Sequence, residues 1–233
     1  LNDKNKLYFS SYYGSDANKV GFDALKKWGN RIASIRWNRI NGSKHFMNLT
    51  TYFSQYEYRI IEESEAADYV GSSRIRDYAV KIDFTNYRSP VNLFEYGGEV
   101  VLHQMSPGER IPGEDSAENL LVLEDEIGIE SSAYLSNERH FGSGFGMSLG
   151  LRYSSLFNFG KDPVYHYVEY APHTIQYIED TVNLGTSSKV YHNLVPRVSI
   201  KYQVNPKNSF KLGHFVSVQY LHLLSNTISP SSS

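Results

Sequence analysis

The stretch "KIDFTNYRSPVNLFEYGGEVVLH", from Lys81 to His103, alternates residue by residue between grease and charge. Val80, Ile82 and Phe84 interleave with Lys81, Asp83 and Thr85. After the turn residues Asn86 to Pro90, Phe94, Tyr96, Val100 and Leu102 interleave with Glu95, Gly97, Glu99 and His103. A period of two is the mark of β-strands whose faces meet different surroundings, because successive side chains of a strand point to opposite sides. The pattern recurs. Leu121, Leu123, Ile127, Ile129, Ala133 and Leu135 oppose Glu118, Glu124, Glu126, Glu130 and Ser132, with Asp125 breaking the apolar row. Phe145, Met147, Leu149, Leu151 and Tyr153 oppose Gly144, Gly146, Ser148, Gly150, Arg152 and Ser154. Val198, Ile200, Tyr202 and Val204 oppose Arg197, Ser199, Lys201 and Gln203.

This reading predicts about nine strands, near 6–13, 28–39, 45–60, 74–86, 92–104, 118–135, 144–155, 194–204 and 209–221. The connections alternate in length. Those at 41–44, 87–91, 136–143 and 205–208 are short, the first starting with the hairpin signal Asn41-Gly42. Those at 14–27, 61–73, 105–117 and 156–193 are long. An antiparallel meander with short turns at one end and long loops at the other is the plan of an outer-membrane barrel. A soluble sandwich has no reason to sort its loops this way. Several strands also exceed the five or six residues usual in soluble domains and approach the ~10 tilted residues that cross a bilayer. Alternation alone does not decide between the two, since a soluble sheet shows the same period with the apolar face turned inward.

Composition narrows the field. Lys+Arg of 23 against Asp+Glu of 25 gives a net charge of -2 and no reason to expect a nucleic-acid partner. With no Cys there is no disulfide, no thiolate metal site and no Cys nucleophile. The longest aliphatic run, Leu120 to Leu123, is far too short for a membrane helix. Membrane strands are only half apolar and escape that test. The 19 Tyr and 12 Phe suit an interface that is half apolar and half wet, and Tyr is also simply a good strand former. The opening "LNDKNKLYFSSYYG" lacks a Met and a signal-peptide pattern, and the end "LLSNTISPSSS" trails off in Ser. The expectation is a piece of a longer chain.

Three motifs point to chemistry. "GMSLG" (146–150) matches the G-x-S-x-G nucleophile elbow, which needs a sharp strand-to-helix turn at Ser148. Here alternation runs straight through, so a strand with small residues on one face is the better reading. "EDE" (124–126) offers paired carboxylates, and a row of Glu on a wet wall explains them more simply. The eight His are scattered without an H-E-x-x-H pattern, so neither a metal nor another cofactor is expected. Their nearest grouping, within "YHYVEYAPHTIQYIED" (165–180) in the longest connection, makes Tyr165, His166, Tyr167, Tyr170, His173 and Tyr177 the candidate ligand contacts. The sequons "NGS" (41–43) and "NLT" (48–50) carry no meaning in a bacterial barrel.

Four blocks together resemble the barrel domain of TonB-dependent receptors of the Bacteroidota type: "RWNRINGSKHFMNLTTYFSQYEYRI" (36–60), "GGEVVLHQMSPGE" (97–109), "LRYSSLFNFG" (151–160) and "VPRVSIKYQVNPKNSFKLGHFVSVQYLHLLSNT" (195–227). The last is the most specific, and the likeness covers nearly all the chain in order. Trp37, Asn38, Asn48, Thr50, Tyr56, Tyr58, Pro107, Gly108, Glu109, Arg197, Ser199, Gln219, His222, Leu223, Ser225 and Asn226 match as structural signatures, not as ligand contacts.

The resemblance implies an all-β, antiparallel up-and-down meander forming part of a transmembrane β-barrel of about 22 strands. Residues 1–233 would be one partial barrel domain, without plug, TonB-binding segment or closing strand. It implies active import of a scarce ligand (siderophore, haem, cobalamin, glycan or peptide) and localisation in the outer membrane. The implied partners are outer-membrane lipid, the receptor's own plug and the TonB complex. On that picture Glu124, Glu126, Arg152, Arg197 and Lys201 face the lumen and are candidates to meet the plug. The expectation is a transporter and not an enzyme. The rivals are a passive porin or adhesin-type barrel and a soluble esterase using Ser148.

Overall fold

The computed structural model describes residues 2–20, 24–63, 68–114, 119–142, 144–159, 164–168, 171–179 and 189–221. Among these there is no helix. The strands are β1 (Asn5–Val20), β2 (Ala24–Asn41), β3 (His45–Glu63), β4 (Asp68–Ser89), β5 (Asn92–Pro112), β6 (Leu121–Val122), β7 (Glu126–Phe141), β8 (Phe145–Asn158), β9 (Val164–Val168), β10 (Ala171–Glu179), β11 (Lys189–Asn205) and β12 (Asn208–Phe215). One sheet runs β1-β2-β3-β4-β5-β7-β8-β11-β12, every neighbour antiparallel, with β6 paired to the far end of β5. β9 and β10 form a separate hairpin between β8 and β11. The expected consecutive meander is therefore present, and the sheet is open, with β1 and β12 at its edges.

The strands run further than alternation suggested. β1 and β2 stay paired out to Val20 and Ala24, β3 and β4 to Glu63 and Asp68, and β5 reaches Pro112. Most of the expected long loops at 14–27, 61–73 and 105–117 is thus strand; residues 21–23, 64–67 and 115–118 lie outside the described residues. The physical reason is that Asp16, Asn18, Lys19, Lys26 and Lys27 put polar side chains on both faces. The two-residue period vanishes there, while the backbone ladder, indifferent to side chains, continues.

Two boundaries need correction at the other extreme. The strand expected at 118–135 breaks at 123–125 and resumes as β7, which continues to Phe141. The strand expected at 209–221 stops at Phe215. Beyond it the Tyr220 hydroxyl donates to the Ser154 carbonyl at 2.9 Å, and the Asn193 amide donates back to it at 3.1 Å, which draws residues 216–221 over β8 and β11. The tight turns fall at 42–44, 90–91, 142–144 and 206–207, all at one end. Gly42 and Gly142 take positive φ, 78° and 59°, a conformation Gly adopts at little cost. The two connections that remain long, 113–125 and 159–188, leave from the opposite end.

Directly paired residues of antiparallel strands share a face, so the register sorts the sheet into two surfaces. One carries Ile35, Trp37, Leu49, Phe53, Val80, Ile82, Phe84, Tyr96, Val100, Leu135, Leu149, Leu151 and Val198. The other carries Tyr52, Asp77, Lys81, Asp83, Glu95, Glu99, His103, Glu130, Tyr134 and Arg152. Burial is inverted relative to a water-soluble sheet. Val80 is 55% exposed, Val100 51% and Leu149 44%, while on the polar side Ala79 is 3%, Val101 8% and His103 8% exposed.

Candidate functional site

The polar face is organised around β3, β4, β5, β7 and β8. His103 on β5 contacts two carboxylates from its neighbouring strands. Its Nδ1 lies 2.8 Å from Asp77 Oδ1 on β4, and its Nε2 lies 3.7 Å from Glu130 Oε2 on β7. Toward the short-turn end, the Tyr52 hydroxyl donates to Glu99 at 3.3 Å, and Arg152 lies 3.6 Å from the other Glu99 oxygen. Tyr134 crosses Gly97 to donate to Asp83 at 2.6 Å, and Asp83 also lies 3.5 Å from the Lys81 ammonium. Most of these are charge-assisted contacts between strands, while the buried His103 Nε2 approaches Glu130 without a hydrogen-bond partner. No group of three His, Asp or Glu among the described residues is arranged to hold a metal ion.

The site residues expected from sequence separate. Arg152 joins the network through Glu99. Arg197 lies opposite Gly150, and Lys201 opposite Gly146 and Lys211; both are exposed on the polar face. Glu126 is the first residue of β7 and lines a cavity of about 440 Å³ with Leu156, Tyr191, Asn193 and Tyr220. Glu124 was expected on the same strand face and instead sits exposed in the 123–125 break. Of the aromatic group, Tyr165, His166 and Tyr167 fall on β9 and His173 and Tyr177 on β10, with His166 opposite Tyr177; Tyr170 lies outside the described residues. Ser148 stands inside β8, opposite Glu138 and Ser199, with no strand-to-helix turn.

The apolar face has sharp limits. At the long-connection end Arg31, Gln55, Arg76 and Gln104 face each other in one row across β2 to β5, with Arg76 donating to Gln55 at 3.1 Å. At the short-turn end stand Arg39, Asn86, Asn92, Asn137 and Arg139. Between these limits no charged residue of β2 to β8 lies on this face. Roughly ten residues of strand separate them, about 33 Å along the strand. Aromatic rings gather at the short-turn limit: Phe84 stacks on Tyr96 at 5.0 Å, and Phe141 meets Phe145 at 5.7 Å.

Sequence reasoning placed Asp77, His103 and Glu130 on strands but did not bring them together, because cross-strand register joins them. It also passed over the pairs Trp37-x-Arg39 and Arg139-x-Phe141, whose two-residue spacing puts ring and guanidinium on one face. The fold and this surface define an antiparallel up-and-down sheet with an exposed apolar face and a charged face that is buried around Ala79, Val101 and His103. No protein-family model matches the chain, and no curated protein is significantly similar to it.

Proposed function

We propose that the chain is a section of the wall of an outer-membrane β-barrel of the TonB-dependent receptor type, which imports a scarce ligand. One observation carries the reading: an exposed, charge-free apolar band, bounded by polar rows and backed by a charged face, spans about the ten residues that a tilted strand needs to cross a bilayer. In water such a band is unfavourable by about 25 cal/mol per Å² of exposed apolar surface, and in hydrocarbon that cost disappears. The charged face then lines a wet lumen, where Glu126, Arg152, Arg197 and Lys201 stand toward the receptor's plug. The β9–β10 hairpin extends at the long-connection end, where an extracellular ligand is met first.

Because the chain has no Cys, single cysteines report cleanly. Labelled Cys at Val80, Val100 and Leu149 is expected to be quenched by brominated lipid chains, and at Lys81, Glu99 and Arg152 to be spared. Equal quenching at both sets would overturn the lipid-facing reading. The transport half is tested by uptake into cells producing the protein. Import that stops when the proton gradient is dissipated supports a TonB-driven receptor. Import that persists points to a passive porin.

A further inference from the structure

Three arginines stand where the apolar face meets the short-turn end, each over an aromatic ring. Arg39 lies 6.0 Å from the ring centre of Trp37, Arg88 5.7 Å from Phe94 and Arg139 5.0 Å from Phe141. All three are exposed, and among the described residues none forms an ion pair with a carboxylate. The polar neighbours on this rim are amides and His45, which stands opposite Asn86, with Asn137 donating to Asn92 at 2.6 Å. The nearby acids Asp83, Glu95 and Glu138 belong to the other face. At the long-connection end the same face mixes both signs: Lys27, Arg31, Arg59, Arg74 and Arg76 stand with Glu57, Glu63 and Asp68, and Arg76 is hydrogen-bonded to Gln55.

From this asymmetry we propose that Arg39, Arg88 and Arg139 form a phosphate-binding rim that seats the short-turn end in the headgroup layer of an anionic glycerophospholipid leaflet. A ring beneath a guanidinium attracts the cation without using its N–H donors. All three arginines are exposed, and a guanidinium's planar fork of N–H donors binds phosphate oxygens in pairs. An anionic leaflet further attracts each such cation, and no acid on this rim opposes it. The proposal rests on the reading that the apolar face meets lipid.

The test uses the full chain reconstituted into vesicles of phosphatidylcholine alone, or of phosphatidylcholine and phosphatidylglycerol in equal parts. Three forms are compared: the natural chain, R39Q/R88Q/R139Q, and the corresponding triple Lys variant. After gentle detergent extraction, the lipid retained on the protein is measured. The natural chain is expected to retain lipid several-fold richer in phosphatidylglycerol than the vesicle, and the Gln variant to match the vesicle. The Lys variant, with charge but no fork, should fall between. R31Q, at the opposite end over Tyr13, should behave as the natural chain. Failure of every form to insert into either vesicle would overturn the lipid-facing reading and the rim with it. Insertion with the same retained lipid in the natural and Gln forms would overturn the rim alone.

Discussion

Gly97 shows how one missing side chain organises the polar face. A Cβ there would collide with the Ile82 carbonyl and lie 2.9 Å from the Tyr134 ring. Gly97 and Tyr134 are direct partners, the ring passes close over the glycine, and its hydroxyl reaches Asp83 on the strand beyond. The aromatic covers backbone that a glycine leaves bare, a known way to pin register. Gly97→Ala is expected to lower stability by about 1–3 kcal/mol, through overpacking against backbone that has no room to move. Gly213→Ala, where the nearest atom would be 3.8 Å away, should stay within about 0.5 kcal/mol of the natural chain. Tyr134→Phe keeps the cover and loses only the bond to Asp83, so it should cost about 1.5–3 kcal/mol. Urea unfolding of the protein in lipid vesicles measures all three. A Gly97→Ala chain as stable as Gly213→Ala would show that the contact relaxes freely.

At the scale of strands, β5 carries both environments within adjacent residues. Val100 is half exposed in the middle of the apolar band, and Glu99 beside it holds Arg152 and Tyr52. If lipid covers the band, Val100→Lys should destabilise the protein in vesicles by about 2–4 kcal/mol, the cost of a mid-depth cation on the outer face of a barrel. Ser199→Lys, exposed on the polar face of β11 opposite Ser148 and Gly213, should cost well under 1 kcal/mol. Equal costs would remove the distinction between the faces. The same adjacency explains what was legible in the sequence. Val80 against Lys81 and Val100 against Glu99 gave the faces directly, since only a strand keeps such neighbours apart. The reach of β1 to Val20 was not legible, because polar residues on both faces erase the signal that pairing leaves behind. Neither was the His103 contact with Asp77 and Glu130. It depends on three strands being in register, and the pattern of one strand carries no information about the offset of the next.

At the scale of the molecule, the sheet presents two open edges and one uncovered apolar face. β12 is exposed along its whole length and bears Phe210, Leu212 and Phe215 at 70–74% exposure. β1 bears Phe9, Tyr12 and Tyr13 at 61–71%. Each edge offers a row of unpaired N–H and C=O groups, which pairs with any strand that approaches. In water the apolar face favours association through hydrophobic burial, and the edges supply a template for it. In detergent the face is covered while the backbone ladder, local to the sheet, stays intact. The chain is therefore expected to sediment as large aggregates in plain buffer. In micelles it should be a small, β-rich species with the same strand signal by circular dichroism. Lys in place of Phe210 and Leu212, on an edge strand, should reduce aggregation without abolishing it, because the broad apolar face from β2 to β8 remains. Sedimentation velocity with and without detergent decides the matter. A monomer in plain buffer would mean that the apolar face closes on itself, and would turn the proposed lipid-facing wall into the interior of a water-soluble barrel.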